Sequence, residues 1–331
     1  MPAGAVNIRE VGPRDGLQNE PEIVKTADKV ALIGKLARAG LRRIEVTSFV
    51  RSDVIPQLSD AREVLTAIDV PDGVALSVLV PNSRGLDHAL ELRDRFDEVG
   101  VFLSASETHN LRNVNRSIAA SLDSLGRVVA RARAAGLRVE AVIATSFGCP
   151  YEGAVPRERV LEIATRLRDA GAQEIAFGDT TGMANPVQVA AHFEAARDAL
   201  GGDVELTAHF HNTRGQGLAN ALAALQAGCT SFESSIGELG GCPVPPGATG
   251  NIATEDLVSM LHEMGVATGI DLDALLATAR DMQALLGRPL GSHTLVAGPI
   301  DWHPHAGGGS AVAGPAGEGS GGEESARREP A

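Results

Sequence analysis

ELTAHFHNTRGQGLANALAALQAGCTSFESSI, residues 205–236, contains one complete structural repeat. Glu205–His211 is a short run with the residue types of a strand. Leu218, Ala221, Leu222 and Leu225 then follow the i, i+3, i+4, i+7 spacing of a helix that buries one face. Gly228 comes next, where a glycine can end a helix in the left-handed conformation without a Cβ penalty, and Ser231–Ile236 opens a second apolar run. Strand, helix and strand within about 30 residues form a βα unit, which leads the chain into a parallel neighbouring strand.

The same unit recurs in both directions. Apolar runs at Val6–Val11, Arg43–Phe49, Ala75–Val80, Val99–Ala105, Val139–Thr145 and Glu174–Asp179 join the two already quoted, with a mean period of about 32 residues. Gly40, Gly136 and Gly171 precede strands as Gly228 does, and the stripes Val160, Ile163, Ala164, Leu167 and Leu257, Met260, Leu261, Met264 mark further amphipathic helices. Eight units favour a closed (β/α)8 TIM barrel over a doubly wound sheet. A helix over Leu272–Leu286 is expected as a C-terminal addition, so the barrel domain is placed at 1–287 and an extension at 288–305. The Gly-, Ser- and Glu-rich stretch 306–331 is expected to be a disordered tail. His303 and His305 at its root are read as surface residues rather than a metal pair.

Composition narrows the function. With 44% hydrophobic and 21% charged residues, the chain has the make-up of a folded globular protein, and no apolar run approaches a membrane span. A net charge of −13, with 3% aromatics and no basic stripe, argues against nucleic acid as a partner. Met1–Asn7 lacks the pattern of a secretory signal, so a cytoplasmic location is expected. Cys149, Cys229 and Cys242 are too few for a disulfide framework and leave room for a reactive thiol.

In an eight-stranded barrel the chemistry sits at the C-terminal strand ends. Arg14 and Asp15 follow the first strand, Glu45 and Ser48 lie on the second, and Asp179 and Thr180 end the sixth. His209, His211 and Asn212 end the seventh, and Cys242 and Asn251 lie in the glycine-rich loop after the eighth. His209 and His211 are two apart on a strand, so their imidazoles face the same way and can share an ion. With Asp15 and the amide oxygen of Asn251, this donor set suits Mg²⁺ or Mn²⁺ with positions left for substrate. Arg14 beside the ion is placed to stabilise an oxyanion. Cys242, in Gly240-Gly241-Cys242-Pro243, is the candidate proton donor or nucleophile, ahead of Cys149; Cys229 reads as an inert buried thiol.

Together these residues resemble the 3-hydroxy-3-methylglutaryl-CoA lyases of the metal-dependent lyase and Claisen-condensing barrels. The likeness runs over about residues 6–287. It rests on Glu10–Glu20, Glu45–Val50, Gly148–Gly153, Gly178-Asp179-Thr180, His209-Phe210-His211, Gly240–Pro243 and Gly250–Asp256. The resemblance implies a divalent metal on Asp15, His209, His211 and Asn251, an acyl-CoA substrate contacted by Arg14, Ser48 and Thr180, and a retro-Claisen cleavage. Arg14 would stabilise the enolate, Glu45 would support the site, Asp179, together with His209, would orient or deprotonate the tertiary hydroxyl, and Cys242 would manage the proton on the acetyl carbon. It also implies a homodimer and a place in leucine catabolism.

Two positions depart from that family's pattern. Val142 and Ala176 stand where a tyrosine and a serine are expected, and losing two hydroxyls favours a less polar acyl group there, so citramalyl-CoA or a longer 3-hydroxy-3-alkyl thioester enters as an alternative substrate. A condensing synthase of the same barrel is the rival reaction; such enzymes often carry further C-terminal regions, for which little ordered sequence is expected after residue 305. A non-catalytic binding barrel is the rival outside enzymology, and the intact Arg14, Asp15, His209, His211 and Cys242 set argues against it.

Overall fold

β1 (Asn7–Glu10), β2 (Arg43–Ser48), β3 (Ala75–Leu79), β4 (Glu98–Ser104), β5 (Arg138–Ala144), β6 (Glu174–Asp179), β7 (Glu205–Phe210) and β8 (Ser231–Ser234) pair in parallel, each with the next, and β8 pairs back to β1. The barrel is therefore closed. The computed structural model describes residues 4–241 and 250–302. The helices around the barrel are α1 (Thr26–Arg38), α2 (Ala61–Ala67), α3 (Ser83–Leu90), α4 (Glu107–Val114), α5 (Ile118–Ala134), α6 (Arg157–Asp169), α7 (Pro186–Leu200) and α8 (Gly217–Gln226). α9 (Thr254–Glu263), α10 (Leu272–Leu286) and α11 (His293–Ala297) follow.

Each strand lies within two residues of its expected bounds, and α10 matches its expectation at both ends. β8 stops before Ser235 because the following peptide N–H groups leave the barrel ladder: Ser235 N donates to Ile252 O at 3.0 Å and Ile236 N to Glu10 Oε1 at 2.9 Å, opening a short turn. Gly40, Gly136, Gly171 and Gly228 all have positive φ, as their places ahead of strands predict.

The chain divides into a unit spanning Met1–Gly298 and a second spanning Pro299–Ala331. In the first, α10 packs against α1 and buries Leu275, Leu276, Ala279 and Met282. The N-terminus of α11 is held by Asp256, which accepts from Ser292 Oγ at 2.9 Å, His293 N at 2.9 Å and Thr294 N at 2.7 Å. In the second, the described residues 299–302 form no helix or strand, and Trp302 is exposed. The expected tail and the His303/His305 pair lie outside the described residues. No helix among the described residues is long and apolar enough to cross a membrane.

Charge fills the barrel floor. Arg43, Glu98, Arg138, Glu174 and Glu205 are the first residues of β2, β4, β5, β6 and β7, and they are linked by ion pairs such as Arg43 to Glu98 at 3.0 Å and Arg138 to Glu174 at 3.3 Å. Burial alone would push the Glu174 carboxyl up, but Arg9 and Arg43 hold it down at about 2. One layer higher, Phe102, Val142, Ala176 and Thr207 are successive partners across β4–β7. In this row Phe102, Val142 and Ala176 are apolar, while Arg9 of β1, Glu45 of β2, His209 of β7 and Glu233 of β8 are ionisable.

Candidate active site

The C-terminal strand ends surround a cavity of about 540 Å³. Its polar lining includes Arg14, Asp15, Thr180, His209 and His211; Leu79, Phe102, Val142 and Ala144 supply apolar wall from β3–β5. Arg51, Asn82, His109 and Arg116 line it too, so polar and apolar residues share a concave pocket of the kind that binds small molecules.

Asp15 is presented by a wide helical turn over Gly12–Gly16. The N–H groups of Arg14, Asp15 and Gly16 all converge on Val11 O, at 3.1, 2.7 and 3.2 Å. Glu10 secures the start of this turn by accepting from Gly12 N at 2.7 Å. Arg14 then donates from Nε to Glu45 Oε2 at 2.6 Å and from Nη1 to Asp15 Oδ1 at 2.7 Å, which fixes the guanidinium at the cavity wall. Burial raises the Glu45 carboxyl to about 7, against the pull of Arg14 and with the help of the Glu233 charge. Burial also works against ionised Asp15, yet Arg14, His209 and His211 together hold it below the ordinary value.

His209 and His211 converge as their spacing predicts, with their Nε2 atoms 3.1 Å apart. One ligand atom from each of Asp15, His209 and His211 can be chosen so that all lie within 4.8 Å of one another, a grouping able to hold a metal ion. Asn251 is brought to this cluster by a backbone bridge to His211 and donates Nδ2 to Asp15 Oδ2 at 2.7 Å. Its Oδ1 is buried with no hydrogen-bond partner, which leaves an acceptor available beside Asp15. Two imidazoles, a carboxylate and a spare amide oxygen fit a divalent cation. Gly240 is required next to them: it has φ +91°, and a Cβ there would come within 2.7 Å of Asn251 Nδ2 and 2.9 Å of Asp15 O.

Asp179 ends β6 just behind the cavity. Its Oδ1 accepts from Met183 N at 2.8 Å and Ala184 N at 3.1 Å, while Oδ2 is buried and unpartnered. Burial is the main cause that lifts this carboxyl to about 7, a value suited to taking a proton near neutrality. Thr180 lines the cavity and accepts from Thr145 N at 3.2 Å. Glu45, Asn251 and Asp179 do not line the cavity, though the first two touch residues that do. Ser48 is buried with Oγ unpartnered and is also absent from the lining, so its expected substrate contact has no counterpart here. Cys242 lies outside the described residues. Cys149 is buried, its Sγ accepting from Tyr151 N at 3.4 Å, and burial pushes the Cys229 thiol up to about 12, which fits an inert role.

A family model described as HMGL-like matches residues 5–282. The chain belongs to the HMGL-like family. It is 48% identical over 290 residues to hydroxymethylglutaryl-CoA lyase YngG of Bacillus subtilis, a match covering 88% of this chain and 96% of that one. It is 44% identical over 306 residues to the (R)-citramalyl-CoA lyase of Chloroflexus aurantiacus, covering 89% and 96%. An HMG-CoA lyase from Acinetobacter baumannii, solved in complex with coenzyme A and 3-methylmalate, superimposes with a TM-score of 0.86 at 42% identity, covering 92% of this chain and 99% of that one.

Within this HMGL-like barrel the two departures from the lyase pattern are not equivalent. Val142 lines the cavity, whereas Ala176, its register partner on β6, is fully buried and does not. Three features escape a reading of the sequence. Glu233 accepts from His209 Nδ1 at 2.8 Å, and its clue is a glutamate in an apolar strand at an inward-facing position. Leu79 and Phe102 read as barrel core yet form cavity wall. Thr145 holds φ +56°, a left-handed conformation that costs a β-branched residue about 1–3 kcal/mol; nothing in its local sequence announces it.

Proposed function

We propose that this chain is a metal-dependent carbon–carbon lyase that cleaves a 3-hydroxy-3-methylglutaryl-CoA-like thioester into acetyl-CoA and a keto acid, acetoacetate for the methylglutaryl substrate. The observation that carries this reading is the convergence of Asp15, His209 and His211 with Arg14 fixed beside them in one cavity. Mg²⁺ or Mn²⁺ would be held by Asp15, His209, His211 and Asn251. Bound there, the ion supplies Lewis-acid polarisation and lowers the pKa of a coordinated hydroxyl.

The protein side chains account for the proton and charge traffic. The proton of the tertiary hydroxyl passes to His209, which lines the cavity, or to Asp179, whose unpartnered Oδ2 lies behind the cavity wall. As the C3–O bond becomes a carbonyl, the C2–C3 bond breaks and its electron pair moves onto the thioester as an enolate. Arg14 meets that negative oxygen with a guanidinium already oriented by Glu45, so little reorganisation is needed when the charge develops. Cys242 then gives a proton to C2, which completes acetyl-CoA. Thr180 contributes a hydroxyl to substrate binding from the cavity wall.

A second reading, cleavage of citramalyl-CoA, is supported by the 44% identity to the Chloroflexus relative named for that activity. The test is mass-spectrometric detection of acetyl-CoA, with Mg²⁺ or Mn²⁺ and with chelator, from 3-hydroxy-3-methylglutaryl-CoA, citramalyl-CoA and longer 3-alkyl homologues. Metal-dependent release from one of them is expected and identifies the substrate. Metal uptake without release from any would sink the lyase reading in favour of the synthase direction or of ligand binding. Cys242→Ser is expected to keep metal binding and slow turnover; full activity would remove Cys242 from the mechanism.

A further inference from the structure

Arg9, Glu233 and His209 lie side by side in the barrel wall. Arg9 on β1 is the register partner of Glu233 on β8, which is the register partner of His209 on β7, so all three side chains point inward in one row. Glu233 is 2% exposed and bridges its neighbours. Its Oε2 accepts from His209 Nδ1 at 2.8 Å, and its Oε1 faces Arg9 Nη1 at 3.4 Å. Arg9 is itself fixed by Glu98 at 2.6 Å, by Glu174 at 3.1 Å and by Glu140.

We propose that Glu233, braced by Arg9, is a positioning residue that holds the His209 ring in the orientation and tautomer required to bind a divalent cation, and so sets the metal affinity of the site. This rests on reading Asp15, His209 and His211 as the metal centre. A carboxylate can only accept, so the imidazole keeps a proton on Nδ1, and the nitrogen that can bind a cation is Nε2, which lies beside His211 Nε2. Without that acceptor the ring can carry its proton on either nitrogen and can turn over, and only a fraction of the molecules present the ligand atom. The barrel floor thereby acquires a role beyond solvating its own charges, because its arginine immobilises the carboxylate that immobilises the histidine. Partners of this kind typically change metal affinity about 10- to 100-fold.

The test uses the full chain and Mn²⁺ as the probe. Calorimetric Mn²⁺ titration of Glu233→Ala is expected to give a Kd raised about 10- to 100-fold, with the thermal unfolding midpoint measured alongside. Glu233→Gln, which keeps an oxygen acceptor, is expected to recover part of the loss. Nitrogen-15 NMR of the imidazole, recorded without metal, should report one Nδ1-protonated tautomer for His209 in the parent protein and a mixture in Glu233→Ala. A lowered midpoint with unaltered Kd and tautomer would assign Glu233 a purely structural role and overturn the proposal. Should the alanine variant not fold, Glu233→Leu, which keeps the bulk without an acceptor, decides, and unchanged Mn²⁺ affinity there overturns the proposal. Failure of the parent protein to bind Mn²⁺ removes the metal reading and this inference together; binding by the parent with equal binding by both variants removes this inference alone.

Discussion

Arg14 donates its Nε hydrogen to Glu45 Oε2 across 2.6 Å, so the guanidinium cannot rotate away from the cavity without breaking a charge-assisted bond. Lysine cannot reproduce this arrangement, because its donors all sit on one nitrogen, whereas Arg14 reaches Glu45 from Nε and Asp15 from Nη1. Arg14→Lys is therefore expected to lower kcat by about 10²- to 10³-fold, the usual cost of losing a fixed donor to a developing oxyanion. Acetyl-CoA release under saturating substrate measures it, and a kcat within a few-fold of the parent's would show that Arg14 does not stabilise the enolate.

Asp15 and Asn251 make separate demands on the metal site. Asp15→Asn keeps the volume but removes the only carboxylate of the donor set, and it also leaves Arg14 without one of its anionic partners. Asn251→Ala removes the unpartnered Oδ1 and the bond to Asp15. Both variants should bind Mn²⁺ more weakly, Asp15→Asn the more so because a charge is lost as well as an oxygen. Calorimetry compares them, and metal affinity unaffected by Asn251→Ala would leave a three-residue donor set.

The parts legible in the sequence are those with local causes. The eight strands are apolar runs, four of them preceded by glycines whose positive φ no other residue takes cheaply, and the His209/His211 pair follows from the two-residue repeat of a strand. The parts that escaped depend on distant register. Glu233 meets His209 only because β7 and β8 pair at that offset, and Leu79 and Phe102 look like core because they do face the barrel interior. Ser48 illustrates the reverse: a hydroxyl at a strand end suggests substrate contact, but its side chain is enclosed.

Glu255 and Glu10 make stability depend on pH in an unusual direction. Both are raised chiefly by burial, to about 8 and about 7, from an ordinary value of 4.5. Between the ordinary and the raised values the folded chain keeps protons that the unfolded chain has released. The contribution of these groups is therefore complete below 4.5 and is lost as pH rises through about 7 and then about 8. Glu255→Gln stays neutral and can still accept from Gly237 N. Compared with the parent in urea unfolding, it should gain relative stability between about pH 5 and about pH 9. A pH-independent difference between the two would show that Glu255 is ionised throughout.

Substrate choice should be governed by Val142 and not by Ala176. Val142 stands on the cavity wall beside its register partner Phe102, so a bulkier, hydroxyl-bearing side chain there both fills the apolar space and offers a new polar contact. Ala176 is enclosed, and a serine hydroxyl at that position would not reach the cavity without a shift of the strand. Val142→Tyr should thus raise kcat/KM for 3-hydroxy-3-methylglutaryl-CoA relative to longer 3-alkyl homologues by about 10- to 200-fold, the range that a methylene's difference in fit to an apolar pocket gives. Ala176→Ser should leave that ratio where it is. Competition of the two thioesters in one reaction gives the ratio directly. If the serine variant moved it and the tyrosine variant did not, the acyl group would have to lie on the β6 side of the barrel, and the apolar wall of β3–β5 would face a different part of the substrate.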